Sequence, residues 1–327
     1  SLTEIRKADN YFFNYMVHIM RCVCPIPYKQ DIWETIDDTS TDGFQNKKYT
    51  FNWVQSVNEE QKRAVSDIVN NSHGSLPYII FGPPGTGKTL TIVEAVIQTL
   101  LTKENSKIMV CAPSDAACDV LAIRIQEKLT NQHGLLRVNY YSRKVESLPP
   151  VLLQCSTLDE GGIFAMPLFH EIKAASVIIC QCFVSGCLPA SSRLKSHFTH
   201  LFIDESSQAM ECEALVPLLA VDETCSIILA GDPNQLSPTV RDSVAARMGL
   251  RLSLQERLMG LPVYQTQSND NELKRPRAIA NLLSNYRSHK SLLEIPSQLF
   301  YKNSLKCLAS SEVCAPYSNI GSFGEIK

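Results

Sequence analysis

The sequence predicts an α/β fold in which a central parallel β-sheet is flanked by helices. Five short apolar runs, residues 78–81, 108–112, 177–180, 201–203 and 227–230, recur through the middle of the chain. Helical patterns at 88–102, 115–129 and about 208–219 lie between several of them. Strands alternating with helices give a parallel sheet with right-handed crossovers. Between the first run and the first helix stands Gly82-Pro83-Pro84-Gly85-Thr86-Gly87-Lys88-Thr89, a turn spaced to wrap phosphate.

Taken in order, residues 1–25 read as a helix, because Ile5, Tyr11, Phe12, Tyr15, Met16, Ile19 and Met20 share one face. Pro25 and Pro27 end it. Residues 34–50 are polar, with Asp37, Asp38, Asp42, Gly43 and Asn46, and read as a connector. Tyr78-Ile79-Ile80-Phe81 is a buried-strand run, and Ile92, Val93, Val96, Ile97 and Leu100 repeat with helical period. The stretch 140–176, with Pro149-Pro150 and Gly161-Gly162, is longer than a plain crossover and reads as an inserted loop or subdomain. The expected division is therefore 1–54 preceding the main domain, 55–260 as that domain, and 261–327 as a linker and the start of a second.

At 327 residues the chain has room for two domains, and 44% hydrophobic content supports a substantial core. No run of 18 apolar residues appears, so membrane insertion is not expected. The twelve cysteines lack zinc spacing and read as reduced thiols of a cytosolic protein. A net charge of −2 neither favours nor excludes nucleic acid, since a local groove can be basic.

The candidate chemistry begins in the loop at 82–89. Its glycines let backbone N–H groups close around phosphates. Lys88 would neutralise the β- and γ-phosphates of ATP, and the Thr89 hydroxyl would ligate Mg²⁺ at the positive start of the following helix. Leu201-Phe202-Ile203-Asp204-Glu205 is a strand ending in two carboxylates. Asp204 would hold the metal, and Glu205 would deprotonate the attacking water. A further run, Ile227 to Ala230, leads into Gly231-Asp232-Pro233-Asn234-Gln235-Leu236. There Gln235 can reach the γ-phosphate or the water, though a surface turn of good turn-formers reads the segment equally well. Gln61 has an amide able to bridge the edges of adenine. Tyr286 beside Arg287 could stack on a base while the guanidinium meets phosphate, or could be a half-buried tyrosine beside a solvated arginine.

In this order, with Cys111-Ala112-Pro113-Ser114 among them, these motifs resemble superfamily 1 helicases. Within that superfamily the chain is similar to the RNA helicases of the nonsense-mediated-decay group, closest to the Armitage and Moloney-leukaemia-virus-ten type acting in RNA silencing. Residues 197–205, 208–213, 256–259, 285–289 and 299–301 carry that closer likeness, which covers about 55–307. The resemblance implies a RecA-like P-loop domain as the first motor domain, 5′-to-3′ movement, and single-stranded RNA crossing the face. It gives Pro113, Ser114 and Ser185 as RNA contacts, Gln61 as the adenine reader, Tyr286 as the stacking ring and Arg287 as a γ-phosphate contact. It also implies Argonaute- or Piwi-type partners and a cytoplasmic setting, with ribonucleoprotein granules as one possibility. Residues do not choose between piRNAs and siRNAs.

The chain departs from the pattern in three places. Asp115 stands where relatives usually carry Asn and would repel RNA phosphate, unless it caps the helix that follows. Ser206-Ser207 replaces an Ala-Gly or Ala-Ser pair. No second-domain arginine is found before Lys327, and such a residue supplies about 10³–10⁵ in rate. The expectation is a fragment that binds nucleotide weakly and turns it over slowly. Two other readings stay open: an ATP-gated RNA clamp or scaffold, and a DNA helicase of the same superfamily, since nothing here detects a 2′-hydroxyl.

Overall fold

A computed structural model of the chain describes residues 49–129, 134–188, 194, 196–265, 267–269, 272–274 and 278–310. The helix expected over 1–25 and most of the 34–50 connector lie outside them. The described residues fall within one compact unit, Tyr49–Lys327. Helix α1 (Glu59–Val69) opens on a capping box. The Gln61 N–H donates to Asn58 Oδ1 at 2.8 Å, and the Asn58 N–H donates back to Gln61 Oε1 at 2.9 Å. Two backbone donors without helical partners are thereby satisfied.

Strand β1 (Tyr78–Phe81) leads through the phosphate loop into α2 (Lys88–Thr102). Then come β2 (Ile108–Ala112), α3 (Asp115–Gln126), β3 (Leu135–Arg137), α4 (Phe169–Ala174) and β4 (Val177–Gln181). Strands β5 (His200–Ile203) and β6 (Ser226–Gly231), α5 (Leu254–Met259), β7 (Ile279–Asn281) and α6 (Lys290–Phe300) complete the main elements. The sheet has seven strands in the order β3-β4-β2-β5-β6-β1-β7, every pairing parallel. It is a RecA-like sheet with helices on both faces.

Strand alternation divides the core. Tyr78, Ile80 and Val110 face α1, α2 and α3, packing with Ile68, Ile92, Val96 and Leu121. Their neighbours Ile79 and Met109 point the other way, into a second layer with Leu201, Ile203, Leu254 and Leu258. Because β1, β6 and β5 are adjacent and parallel, their carboxyl ends lie side by side, where open parallel sheets carry their ligands.

Several details differ from the sequence reading. Strands β3 and β7 were not expected, since Leu-Leu-Arg and Ile-Ala-Asn carry almost no strand signal in three residues. The helical pattern at 208–219 resolves into a helix over Glu211–Leu215 and a 3₁₀ turn over Pro217–Ala220. Pro217 has no N–H with which to continue the α-helix. The stretch 140–176 is integral to the domain: Leu148, Leu152 and Phe164 enter the core beside α3. Strand β7 pairs with β1, so this sheet takes in residues beyond the expected boundary at 260.

Candidate functional site

The phosphate loop joins β1 to a 15-residue helix whose first residue is Lys88. Gly85 adopts φ +76°, and a Cβ there would stand 2.6 Å from Arg287 Cβ and 2.9 Å from Asn285 Nδ2. Only glycine lets this turn close so tightly against the later segment. Lys88 is buried, and its Nζ donates to the Gly82 carbonyl at 2.6 Å. The Thr89 hydroxyl donates to Asp204 Oδ2 at 3.0 Å, which joins the loop to the end of β5. Bare backbone amides at a helix start, a buried ammonium and a hydroxyl beside a carboxylate form a donor set that fits a magnesium triphosphate.

Asp204 is buried, and desolvation, aided by the Glu205 carboxylate, raises its pKa to about 6 against the pull of the Glu205 N–H, Thr89 and Lys88. In the unfolded chain an aspartate loses its proton near about 4. Between those two values the folded chain holds the extra proton. Stability therefore falls as pH rises through the window and levels off above about 6. A urea titration at several pH values, comparing the chain with Asp204→Asn, is expected to show this slope only when the carboxyl is present.

Glu205 follows with φ +51°, uncommon for a non-glycine residue. Its N–H donates to Asp204 Oδ1 at 2.9 Å, and Gln208 Nε2 donates to Glu205 Oε2 at 2.9 Å. The turn after β6 lies alongside. Gln235 Nε2 donates to Asp232 Oδ2 at 2.8 Å, which places the amide of Gln235 on a carboxylate at the rim of the site.

The base-side residues also converge. Gln61 Nε2 donates to the Thr86 carbonyl at 3.1 Å, while its Oε1 serves the capping box. One N–H and one lone pair remain for a base edge. Asn58 Nδ2 donates to the Tyr286 hydroxyl at 2.7 Å, bringing Tyr286 beside the start of α1. The segment holding Tyr286 and Arg287 is stitched to the loop: Asn285 Nδ2 donates to the Pro84 carbonyl at 2.6 Å, and the Tyr286 N–H to the Gly85 carbonyl at 2.9 Å. Tyr286 and Arg287 are both exposed.

The residues assigned to RNA fare differently. Pro113 is half-buried, and Ser114 is exposed as the N-cap of α3, its Oγ accepting the Ala117 N–H at 3.3 Å. Ser185 is buried, and its hydroxyl donates to the Cys182 carbonyl at 2.5 Å. That hydroxyl is engaged inside its own helical turn. Asp115 is neither the cap nor a free charge. Arg137 Nη2 donates to its Oδ1 at 2.8 Å, and Arg143 Nη1 lies 3.5 Å away. Arg137 and Arg143 also hold Asp119, so two cations offset two carboxylates behind the Ser114 cap.

Sequence reasoning missed several supporting groups. The single Ser206 hydroxyl proton lies between two acceptors, the Ala230 carbonyl at 3.1 Å and Gln255 Oε1 at 2.5 Å. Ser207 Oγ accepts the Asp232 N–H at 3.0 Å. The Tyr301 hydroxyl donates to Asp232 Oδ2 at 2.8 Å. The serine pair was noticed only as a departure, and nothing local marks Gln255 or Tyr301 as partners. Among the described residues no His, Cys, Asp and Glu cluster forms a metal site, and no helix is long and apolar enough to cross a membrane.

Comparison with known proteins places the chain among its relatives. The family model described as "AAA domain" matches residues 56–157 and 169–243. The human "RNA helicase Mov10l1" is 39% identical over 295 residues, covering 88% of this chain and 23% of its own length. The "Probable RNA helicase armi" of Drosophila melanogaster is 31% identical over 272 residues, covering 77% of this chain and 23% of its own. An Arterivirus helicase, nonstructural protein 10, solved with DNA, overlaps with TM-score 0.41 at 14% identity, covering 76% of this chain and 44% of that one. The chain thus spans about a quarter of the length of the curated relatives it matches. A family match over more than half of the residues decides the assignment: the chain belongs to the AAA domain family.

Proposed function

We propose that this domain hydrolyses ATP with Mg²⁺ and couples that hydrolysis to movement along single-stranded RNA, as part of an RNA helicase. The observation that carries the reading is the 3.0 Å contact between Thr89 and Asp204, two magnesium ligands brought together from separate elements. Lys88 would bind the terminal phosphates, Glu205 would take the proton from water, and Gln235 with Arg287 would contact the γ-phosphate. Gln61 and Tyr286 would hold the adenine. RNA as the track is supported by the names of the relatives and by the exposed Ser114 cap. Movement 5′ to 3′, a role in RNA silencing with Argonaute- or Piwi-type proteins and a cytoplasmic setting are proposals resting on that likeness. Residues 261–327 are read as a linker and the opening of a second motor domain, although Ile279–Asn281 pairs into the sheet of the first. The clamp reading draws on Asp115 and on the unassigned segments 1–50 and 140–176; the ion pairs with Arg137 and Arg143 give Asp115 a structural role and weaken that part of its support.

The test is ATP turnover by the full-length protein with and without single-stranded RNA. Stimulation by RNA beyond that given by single-stranded DNA is expected, with turnover falling to background in Lys88→Ala. No response to RNA, or unchanged turnover in Lys88→Ala, would sink the reading.

A further inference from the structure

Asp232 is fully buried, and its carboxylate collects three donors from two segments of the chain. Its Oδ1 accepts the Asn234 N–H at 3.0 Å. Its Oδ2 accepts both Gln235 Nε2 and the Tyr301 hydroxyl, each at 2.8 Å. Behind it, its own N–H is fixed to Ser207 Oγ, two residues after Glu205. Tyr301 sits just past the end of α6, the helix that follows the Tyr286-Arg287 segment. It is itself buried, with its ring 6.4 Å from that of Phe81 at the end of β1.

This arrangement poses a problem for the proposed chemistry. Gln235 must leave Asp232 for the terminal phosphate or the water, yet a buried carboxylate stripped of a donor pays a desolvation penalty. We propose that Tyr301 is a positioning residue for Gln235: its hydroxyl keeps Asp232 satisfied while the Gln235 amide is released to the reacting groups. Without that hydroxyl, Gln235 is the remaining side-chain donor on Oδ2, and it is held back. Tyr301 would thereby tie the segment after Arg287 to the γ-phosphate contact. The inference rests on the hydrolysis reading above and adds to it a residue that touches neither nucleotide nor water.

The test uses the full-length protein with single-stranded RNA and compares Tyr301→Phe, Gln235→Ala and the double variant. Phenylalanine keeps the ring packed on Phe81 and removes only the donor. Tyr301→Phe is expected to lower kcat about tenfold with KM for ATP unchanged, and to have no further effect once Gln235 is Ala. A merely structural role would lower turnover equally in both backgrounds, because independent defects add. Asp232→Asn supplies a second background, in which Tyr301→Phe is again expected to be silent. Unchanged kcat in Tyr301→Phe, or full additivity with Gln235→Ala, would overturn the assignment. If turnover depends on Lys88 but Tyr301→Phe is inert, only this inference falls. If turnover survives Lys88→Ala, the hydrolysis reading falls with it.

Discussion

Replacing Glu205 with Gln is expected to lower ATP turnover of the full-length protein by about 10²–10⁴-fold, the usual contribution of a positioned base, with nucleotide affinity retained. The substitution keeps size and shape but removes the group that accepts a proton. The backbone supports a catalytic rather than a packing role. Glu205 is held at φ +51°, with its N–H tied to Asp204 and the next N–H, that of Ser206, tied to the Ala230 carbonyl at 2.8 Å. Strained backbone of this kind persists where surrounding contacts fix it, and it gathers at functional sites. Single-turnover hydrolysis alongside equilibrium binding of an ATP analogue separates the two quantities. Turnover unchanged in Glu205→Gln would remove Glu205 from the reaction.

The largest effect on stability is expected from Arg137→Ala. Arg137 has no exposed surface, and it donates to Asp119 at 3.0 Å, to Asp115 at 2.8 Å and to the Val138 carbonyl at 2.7 Å. Removing it leaves Asp119 to Arg143 alone and strips Asp115 of its shortest ion pair. Breaking one side of a buried ion pair costs about 3–5 kcal/mol, which urea unfolding would read directly. Arg137→Lys is expected to recover little, since a point charge cannot reproduce three bonds from one planar fork. A loss no larger than that of an exposed salt bridge would show that the cluster contributes little.

The nucleotide half of the site was legible because its residues are consecutive or end an apolar strand. Lys88 and Thr89 could be placed from the loop spacing, and Asp204 and Glu205 from an apolar run once that loop was given; all five expected strand runs lie entirely within strands that extend little beyond them. What the sequence hid depends on distance along the chain. Arg137 neutralises Asp115 across 22 residues, and Tyr301 reaches Asp232 across 69. No periodicity reports such pairs. Ser185 was named by a motif position carried over from relatives, and nothing in the sequence showed that a local helical turn buries its hydroxyl. Strand β7 was invisible because Ile279-Ala280-Asn281 becomes a strand only through the neighbour it finds in β1.

The most direct measurement is a crystal structure of this domain soaked with Mg²⁺ and a non-hydrolysable ATP analogue. The triphosphate is expected against the backbone amides of residues 85–89, with the metal between the Thr89 hydroxyl and Asp204. Nucleotide bound elsewhere, with that loop and the Thr89–Asp204 contact unaltered, would contradict the account at its base.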